Sequence, residues 1–473
     1  MSAEISPRVY GTEFEYGMLI NGSEELPTNF FHNLPADLAG AGDFYQNGSR
    51  IYPDVGHAEY ATPECGTLDD IVAAELAGEE IFVSTLQRLT QDNPQSSYRI
   101  HKRNIDSVGN TYGAHESYGV DQSIKVGTTD NVPERRRHYL IQALAVHYVS
   151  RIALVGGGYY NPNQREWHVS QRTGQLKQLS NSSCHTSYSR PLVDIRNEPL
   201  ADATRFRRLH VSHGDPNVSP WALRTKIGMT SAFLRLLEAD VPMEHLFLRD
   251  PLQSAYQVGD DIKISAKLEL LDGRHMTALE MQKTLAEKVL DMAEAGHIPE
   301  DERIVAEDLY NTCGAAAKDL SALLRKADWY TRQQLIEEKA VKSKYGGTIN
   351  GRLAGLDQMY DAVVCKQPAT EPIAGIGKRL RDQGYFGPID HDAIKHLQTS
   401  PPTSSRALLR GKIIEAASVP DISGRYGQLN ASWSALRFGL PSNLRFDLSD
   451  PTKNKMNRLM RRILKKAEIS LEN

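Results

Sequence analysis

Four cysteines in 473 residues are too few and too scattered to frame a structure: Cys65, Cys184, Cys313 and Cys365 include no C-x-x-C pair. That spacing argues against a zinc site or a disulfide scaffold, and reduced, mostly buried thiols are expected. Long apolar runs are missing too. No window approaches the ~20 consecutive apolar residues of a spanning helix, so no membrane partner is expected. Charge is balanced: 55 Lys and Arg against 59 Asp and Glu give -4, no electrostatic case for nucleic acid or an anionic membrane. The opening MSAEISPRVYGTEFEYG carries acidic residues and no apolar stretch, unlike a secretory signal, and the protein is expected in the cytoplasm. There is no internal repeat or low-complexity tract. The triplet Gly156-Gly157-Gly158 lacks a following Gly-Lys-Ser/Thr, so it is expected to stop a helix rather than cradle phosphate.

What is present suits a mixed fold. With 40% hydrophobic and 24% charged residues, the chain can bury a sizeable core. Helical periodicity starts at Leu68, and a second helix should run from His138 to Val155. A third is expected after Ser219 as N-cap with Pro220 in the first turn. Further helical patterns cover Ala278 to Ala295 and much of Asp301 to Ala340. SYRIHKR, WHVSQR, RLHVSH and IKISAKLELL read as strands. Strands with hairpin-like neighbours among long helices predict an α+β architecture, an antiparallel sheet covered by helices. The Pro401-Pro402 step predicts a boundary, giving a large domain over 1–403 and a small one over 404–473. The small domain should contain a helix in SRALLRGKIIEAA, a loop around Trp433 and an amphipathic basic tail.

Two N-terminal segments carry unusual chemistry. In GTEFEYG, strand alternation puts Glu13 and Glu15 on one face and Phe14 and Tyr16 on the other. Two carboxylates side by side repel, and a hard divalent cation with oxygen ligands would relieve them. In NGSRIYPDVGHAEYATPEC, Arg50, Tyr52 and Asp54 share one face by the same rule, with Glu59 a few residues on. Arg50 offers a fork for phosphate oxygens, and Asp54 can accept a proton from an amine or activate water. Taken singly, each segment would equally suit a solvated sheet edge.

These segments, with HKRNIDSVGNTYGAHESYG, VSQR, DIRNEPLADATRFRRLHVSHGDPN, DWYTRQQLIEE and PPTSSRALLRGKIIEAA, resemble in order the signature segments of the Pup ligase and depupylase family. That family is related to glutamine synthetase and γ-glutamyl-cysteine ligase. The resemblance implies a glutamine-synthetase-like sheet that uses ATP and magnesium. It also implies a small Pup-like modifier protein and lysine-bearing protein targets as partners. It implies Glu13, Tyr52 and Glu59 at the metal, Arg50, Thr62 and Trp433 at ATP, and Asp54 as catalytic base. Glu15, His115, Arg196, Arg208 and His210 are further candidates from the same motifs.

The chain departs from the family pattern in places. Pro53 replaces an aliphatic strand residue, which suggests an edge or bulge. The Asp54–Glu59 segment is one residue shorter than in typical ligases, Ala58 stands where relatives have proline, and Arg103-Asn104 replaces paired asparagines. The chain is therefore expected to be a distant member. Short motif details lean to the depupylase branch, whereas the roughly thirty residues between Gly17 and Asn47 leave no room for the insertion depupylases carry. The expected reaction is ligation of the modifier's C-terminal glutamate to lysine through a γ-glutamyl phosphate. Depupylation or deamidation at the same site is the alternative, and a small-molecule carboxylate–amine ligase or a non-catalytic binding protein is the outsider.

Overall fold

One long strand, Tyr10–Ile20 (β1), organises the molecule. The computed structural model describes residues 7–27, 29–105, 111–128, 130–183, 188–342 and 346–470. Along one edge β1 pairs with His57–Ala61 (β3), which in turn pairs with Arg50–Asp54 (β2). The other edge is shared: Ala114–Val120 (β5) takes Tyr10 to Phe14, and Tyr98–His101 (β4) takes Gly17 to Ile20. Arg207–Val211 (β6) extends the sheet beyond β5, and Ala362–Lys366 (β7) extends it beyond β4. All these pairings are antiparallel, and the fold is α+β.

Alternation gives this sheet two unlike faces. Tyr10, Phe14, Tyr16, Ile51, Tyr60, Tyr118, Leu209 and Val211 are buried on one side. There they meet the helices Leu68–Asp92 (α1), Glu134–Val155 (α2) and Pro220–Glu238 (α3). Tyr16 and Phe82 pack ring to ring at 4.2 Å, and full burial of such a side chain contributes about 1.5–3 kcal/mol. Helix α2 is buried on all sides from Leu140 to Val155 and stops at Gly156. Ser219 caps α3 through the Ala222 amide with Pro220 in the first turn, and Thr277 and Glu280 form a reciprocal capping box on the Ala278–Glu294 helix.

Two expected strands are largely replaced. From WHVSQR only Trp167 and His168 pair, in the strand Glu166–His168 of a small hairpin apart from the main sheet. The Asp215 carboxylate accepts the Gln171 and Arg172 amides, at 3.0 Å each, and takes them out of any ladder. In IKISAKLELL only Leu268–Glu269 is extended. Asp261 accepts the Lys263, Ser265 and Ala266 amides and folds the segment into a turn. The span Asp301 to Ala340 holds two helices, Glu300–Ala316 and Asp328–Lys342, joined by a 3-10 turn.

From Arg406 onward the chain gathers round its own core, with Leu409, Ile413, Phe438, Phe446 and Ile463, and Ala41 and Phe44 reach into it. The basic tail is the helix Arg458–Lys466, which buries Met460, Ile463 and Leu464 and leaves its charges outside. Cys65, Cys313 and Cys365 are free and buried; Cys184 lies outside the described residues. Among the described residues no helix is long and apolar enough to cross a membrane.

Candidate active site

The second face of the sheet is polar. Glu13 and Glu15 on β1, Arg50, Tyr52 and Asp54 on β2, Glu59 on β3, His115 on β5 and Arg208 and His210 on β6 occupy alternate or directly paired positions. They therefore share that face.

Two clusters form there. In the first, Glu13 faces His115 Nδ1 at 3.6 Å, His210 Nε2 at 3.8 Å and Arg208 Nη1 at 3.5 Å. Burial opposes its charge, yet the close His115 and His210 imidazoles and the Arg208 guanidinium hold its carboxyl well below the usual range. His210 Nδ1 is fixed on the buried Asp194 carboxylate at 2.8 Å, which turns Nε2 toward Glu13. A carboxylate behind a histidine that faces a ligand position is a common second layer of metal sites. Asp194 carried no sequence signal, because nothing in PLVDI distinguishes it from a strand-end aspartate.

In the second cluster, Glu15, Asp54 and Glu59 each bring a carboxylate oxygen within 4.8 Å of the others. Glu15 and Glu59 are directly paired across β1 and β3. Burial, and then repulsion from Glu13, Glu15 and Asp54, push Glu59 up to about 9, although a 2.6 Å hydrogen bond from the Tyr52 phenol favours its charge. Burial and the charges of Glu59 and Glu13 raise Tyr52, so its phenol stays protonated and donates. Two groups of hard oxygen and imidazole donors on one face fit divalent cations.

The Arg50 guanidinium sits over the Tyr52 ring, 3.7 Å from its centroid, and reaches Asp43 at 2.9 Å. Pro53 sits where β2 has no outer partner, since the neighbouring strand pairs with it only at Arg50. Its missing N–H therefore breaks no ladder bond. β2 and β3 are joined by only Val55 and Gly56, at φ +43° and +90°, so Asp54 pairs directly with His57. Positive φ at both positions is the two-residue turn that matches strand twist. Gly17 is required by close approach: a Cβ there would lie 2.0 Å from His101 Nε2.

Beside the first cluster opens a cavity of about 600 Å³, within the range of small-molecule sites. Glu13, Thr62, Arg208 and Trp433 all line it. Its wall holds six arginines, each ion-paired with a neighbouring carboxylate, and a polyphosphate entering the cavity would compete with those carboxylates for the guanidiniums. Thr62 is fixed by accepting the Thr12 amide at 2.9 Å. Trp433 packs edge-on against Phe44, with the Arg410 guanidinium 5.0 Å from its ring centroid. Arg406 and Arg410 both bind Glu64 at the end of the β3 segment, which ties Trp433 and the C-terminal core to the sheet. Arg50, Tyr52, Asp54 and Glu59 lie beyond the cavity wall on the adjoining polar face. Arg196 stays outside both clusters, 3.7 Å from Glu198. Sequence reasoning missed the arginine lining, among them Arg8, Arg205 and Arg235, because these residues are far apart in the chain.

An antiparallel sheet with side chains able to hold metal on one face and an arginine-walled cavity at its end is the layout of nucleotide-using carboxylate ligases. The Pup-ligase protein family model matches residues 28–437. The chain belongs to this family. It is 33% identical over 431 residues to the Pup–protein ligase of Acidimicrobium ferrooxidans, covering 87% of this chain and 90% of the relative. With that of Renibacterium salmoninarum it shares 30% over 470 residues, covering 94% and 95%. Among solved structures it is similar to the complex between the prokaryotic ubiquitin-like protein Pup and its ligase PafA, with TM-score 0.79, 26% identity and coverage of 98% and 92%. It is also similar to PafA in complex with ADP, with TM-score 0.75, 26% identity and coverage of 93% and 91%.

Proposed function

We propose that this enzyme joins the γ-carboxylate of the C-terminal glutamate of a Pup-like modifier to lysine side chains of target proteins, at the expense of ATP. The observation that carries the reading is Asp54 standing on the same sheet face as Glu13, Glu15 and Glu59, next to the arginine-walled cavity. The nucleotide lies in that cavity, with Thr62 and Trp433 against it and its phosphates toward Glu13 and Arg50. Glu13 and Glu59, with Tyr52 hydrogen-bonded to Glu59, would hold magnesium, and each has its own cluster for an ion, His115 and His210 beside Glu13, and Glu15 and Asp54 beside Glu59. When bound, magnesium offsets charge on the transferring phosphoryl group.

The modifier's γ-carboxylate oxygen attacks the terminal phosphorus of ATP and ADP leaves. Arg50 orients the phosphoryl oxygens. Asp54 then takes a proton from the incoming lysine ammonium, whose ordinary pKa of ~10.4 otherwise blocks attack. The free amine adds to the γ-carbonyl carbon and phosphate departs. Depupylation at the same site is not favoured, since the similar relatives are ligases and the roughly thirty residues between Gly17 and Asn47 are too few for a long insertion. The segment 404–473 is proposed as a small domain that brings Trp433 to the nucleotide, and use of ATP fits a cytoplasmic setting.

Purified enzyme, a Pup-like protein ending in glutamate, a lysine-bearing target, ATP and magnesium should yield conjugate and ADP in equal amounts. Asp54→Asn should retain ADP binding and lose ~10²-fold or more in conjugation rate. Conjugation by Asp54→Asn at the wild-type rate removes the base assignment, and cleavage of preformed conjugate without matching ATP use overturns the direction.

A further inference from the structure

Val55, at the tip of the hairpin beside the base, bears two costs at once. It is a β-branched residue at φ +43°, a conformation that crowds its side chain against its own backbone and that favours Gly, Asn or Asp. It is also 83% exposed, so its isopropyl group gains almost nothing from packing. Neither cost has a return inside the fold. Asp54 and His57 would close the same turn with Asn at this position, and Gly56 already accepts its own positive φ. Backbone outliers that stability does not explain concentrate at functional sites.

We infer that Val55 is a specificity contact for the acceptor, lying against the apolar stem of the incoming lysine. The inference rests on the reading of Asp54 as base. When the lysine nitrogen reaches the Asp54 carboxylate, its four-carbon stem and the target backbone extend outward roughly 6 Å. Val55 follows Asp54 directly, one Cα step of ~3.8 Å away at the outermost point of the turn. A lysine stem covers apolar surface while its charged head seeks polar partners. An exposed isopropyl group next to a carboxylate matches both ends of that side chain.

The test compares two acceptors on the same enzyme, modifier and ATP: a lysine-bearing protein, and hydroxylamine, which has no stem and needs no deprotonation near neutral pH. In Val55→Asn and Val55→Gly, kcat/KM for the protein lysine should fall roughly five- to tenfold relative to kcat/KM for hydroxylamine, the scale of losing one or two methyl contacts at ~0.8 kcal/mol each. The change should lie in KM for the protein. Val55→Ile should keep the wild-type ratio. Val55→Asn should also melt higher than wild type, because it relieves the turn. An unchanged ratio in both Asn and Gly variants, or a lower melting temperature for Val55→Asn, overturns the inference. Failure of the ligase reading shows separately, as wild-type enzyme forming neither conjugate nor hydroxamate.

Discussion

Glu13 and Glu15 stand two residues apart on the same face of β1 and meet opposite surroundings. Glu13 faces His115, His210 and Arg208, which hold it ionised. Glu15 faces Glu59 across the strand pair and Asp54 beyond it, with no cation among the three. One strand thus supplies both a charge-balanced cluster and a charge-frustrated one, and the frustrated cluster is where a bound cation yields the larger gain.

That imbalance sets a pH dependence. With Glu59 raised to about 9, its carboxyl is protonated at neutral pH before a cation arrives. Cation binding must displace that proton, so apparent magnesium affinity should rise with pH and level off above about 9. Calorimetry in two buffers of different ionisation enthalpy should register release of close to one proton near pH 7. Glu59→Gln should abolish that release and weaken magnesium-dependent ADP binding about tenfold or more, with the fold intact. Proton release that persists in the variant would assign it elsewhere.

Glu64 tests how the two cores are joined. Burial works against its charge, but Arg410 and Arg406 outweigh it and draw the carboxyl down to about 2. A depressed carboxylate stabilises the fold fully above its unfolded pKa, and that stability is lost as pH falls toward about 2. A shift from 4.5 to about 2 corresponds to on the order of 3 kcal/mol. Glu64→Gln should therefore lower unfolding free energy at pH 7 by about that amount, since it also leaves two buried guanidiniums short of a partner. By urea titration the gap between variant and wild type should narrow at about pH 3.5. A gap constant with pH would mean that the loss is one of packing.

Much of this was legible in the chain because it depends on short spacings. The faces of Glu13 and Glu15, and of Arg50, Tyr52 and Asp54, follow from period-two alternation, and the start of α3 from Ser219 and Pro220. What stayed hidden depends on contacts across the chain. Asp215 and Asp261 accept neighbouring amides and turn two strand-like sequences into loops, although β-branched and apolar residues there favour strands. Asp194 becomes relevant only once β6 places His210 beside it. The two-residue turn at Val55 could not be foreseen, because valine argues against positive φ.

Trp433 offers the sharpest separation between a binding residue and a packing one. Its ring lines the cavity, touches Phe44 edge-on and lies under Arg410. If the ring stacks on the adenine, Trp433→Ala removes a contact worth ~1–3 kcal/mol, and ADP affinity should drop about tenfold, inside the range that energy spans. Trp433→Phe keeps an aromatic face and should recover most of that affinity. The alternative is that the ring only fills the C-terminal core. In that case the alanine variant would melt several degrees lower, as expected of a lost aromatic in a core, while ADP affinity measured well below the melting point stayed unchanged. Calorimetric titration with ADP and magnesium, run beside thermal unfolding on all three proteins, separates the two. A tenfold loss in Trp433→Ala with recovery in Trp433→Phe places the ring on the nucleotide, and equal affinities in all three withdraw it from the site.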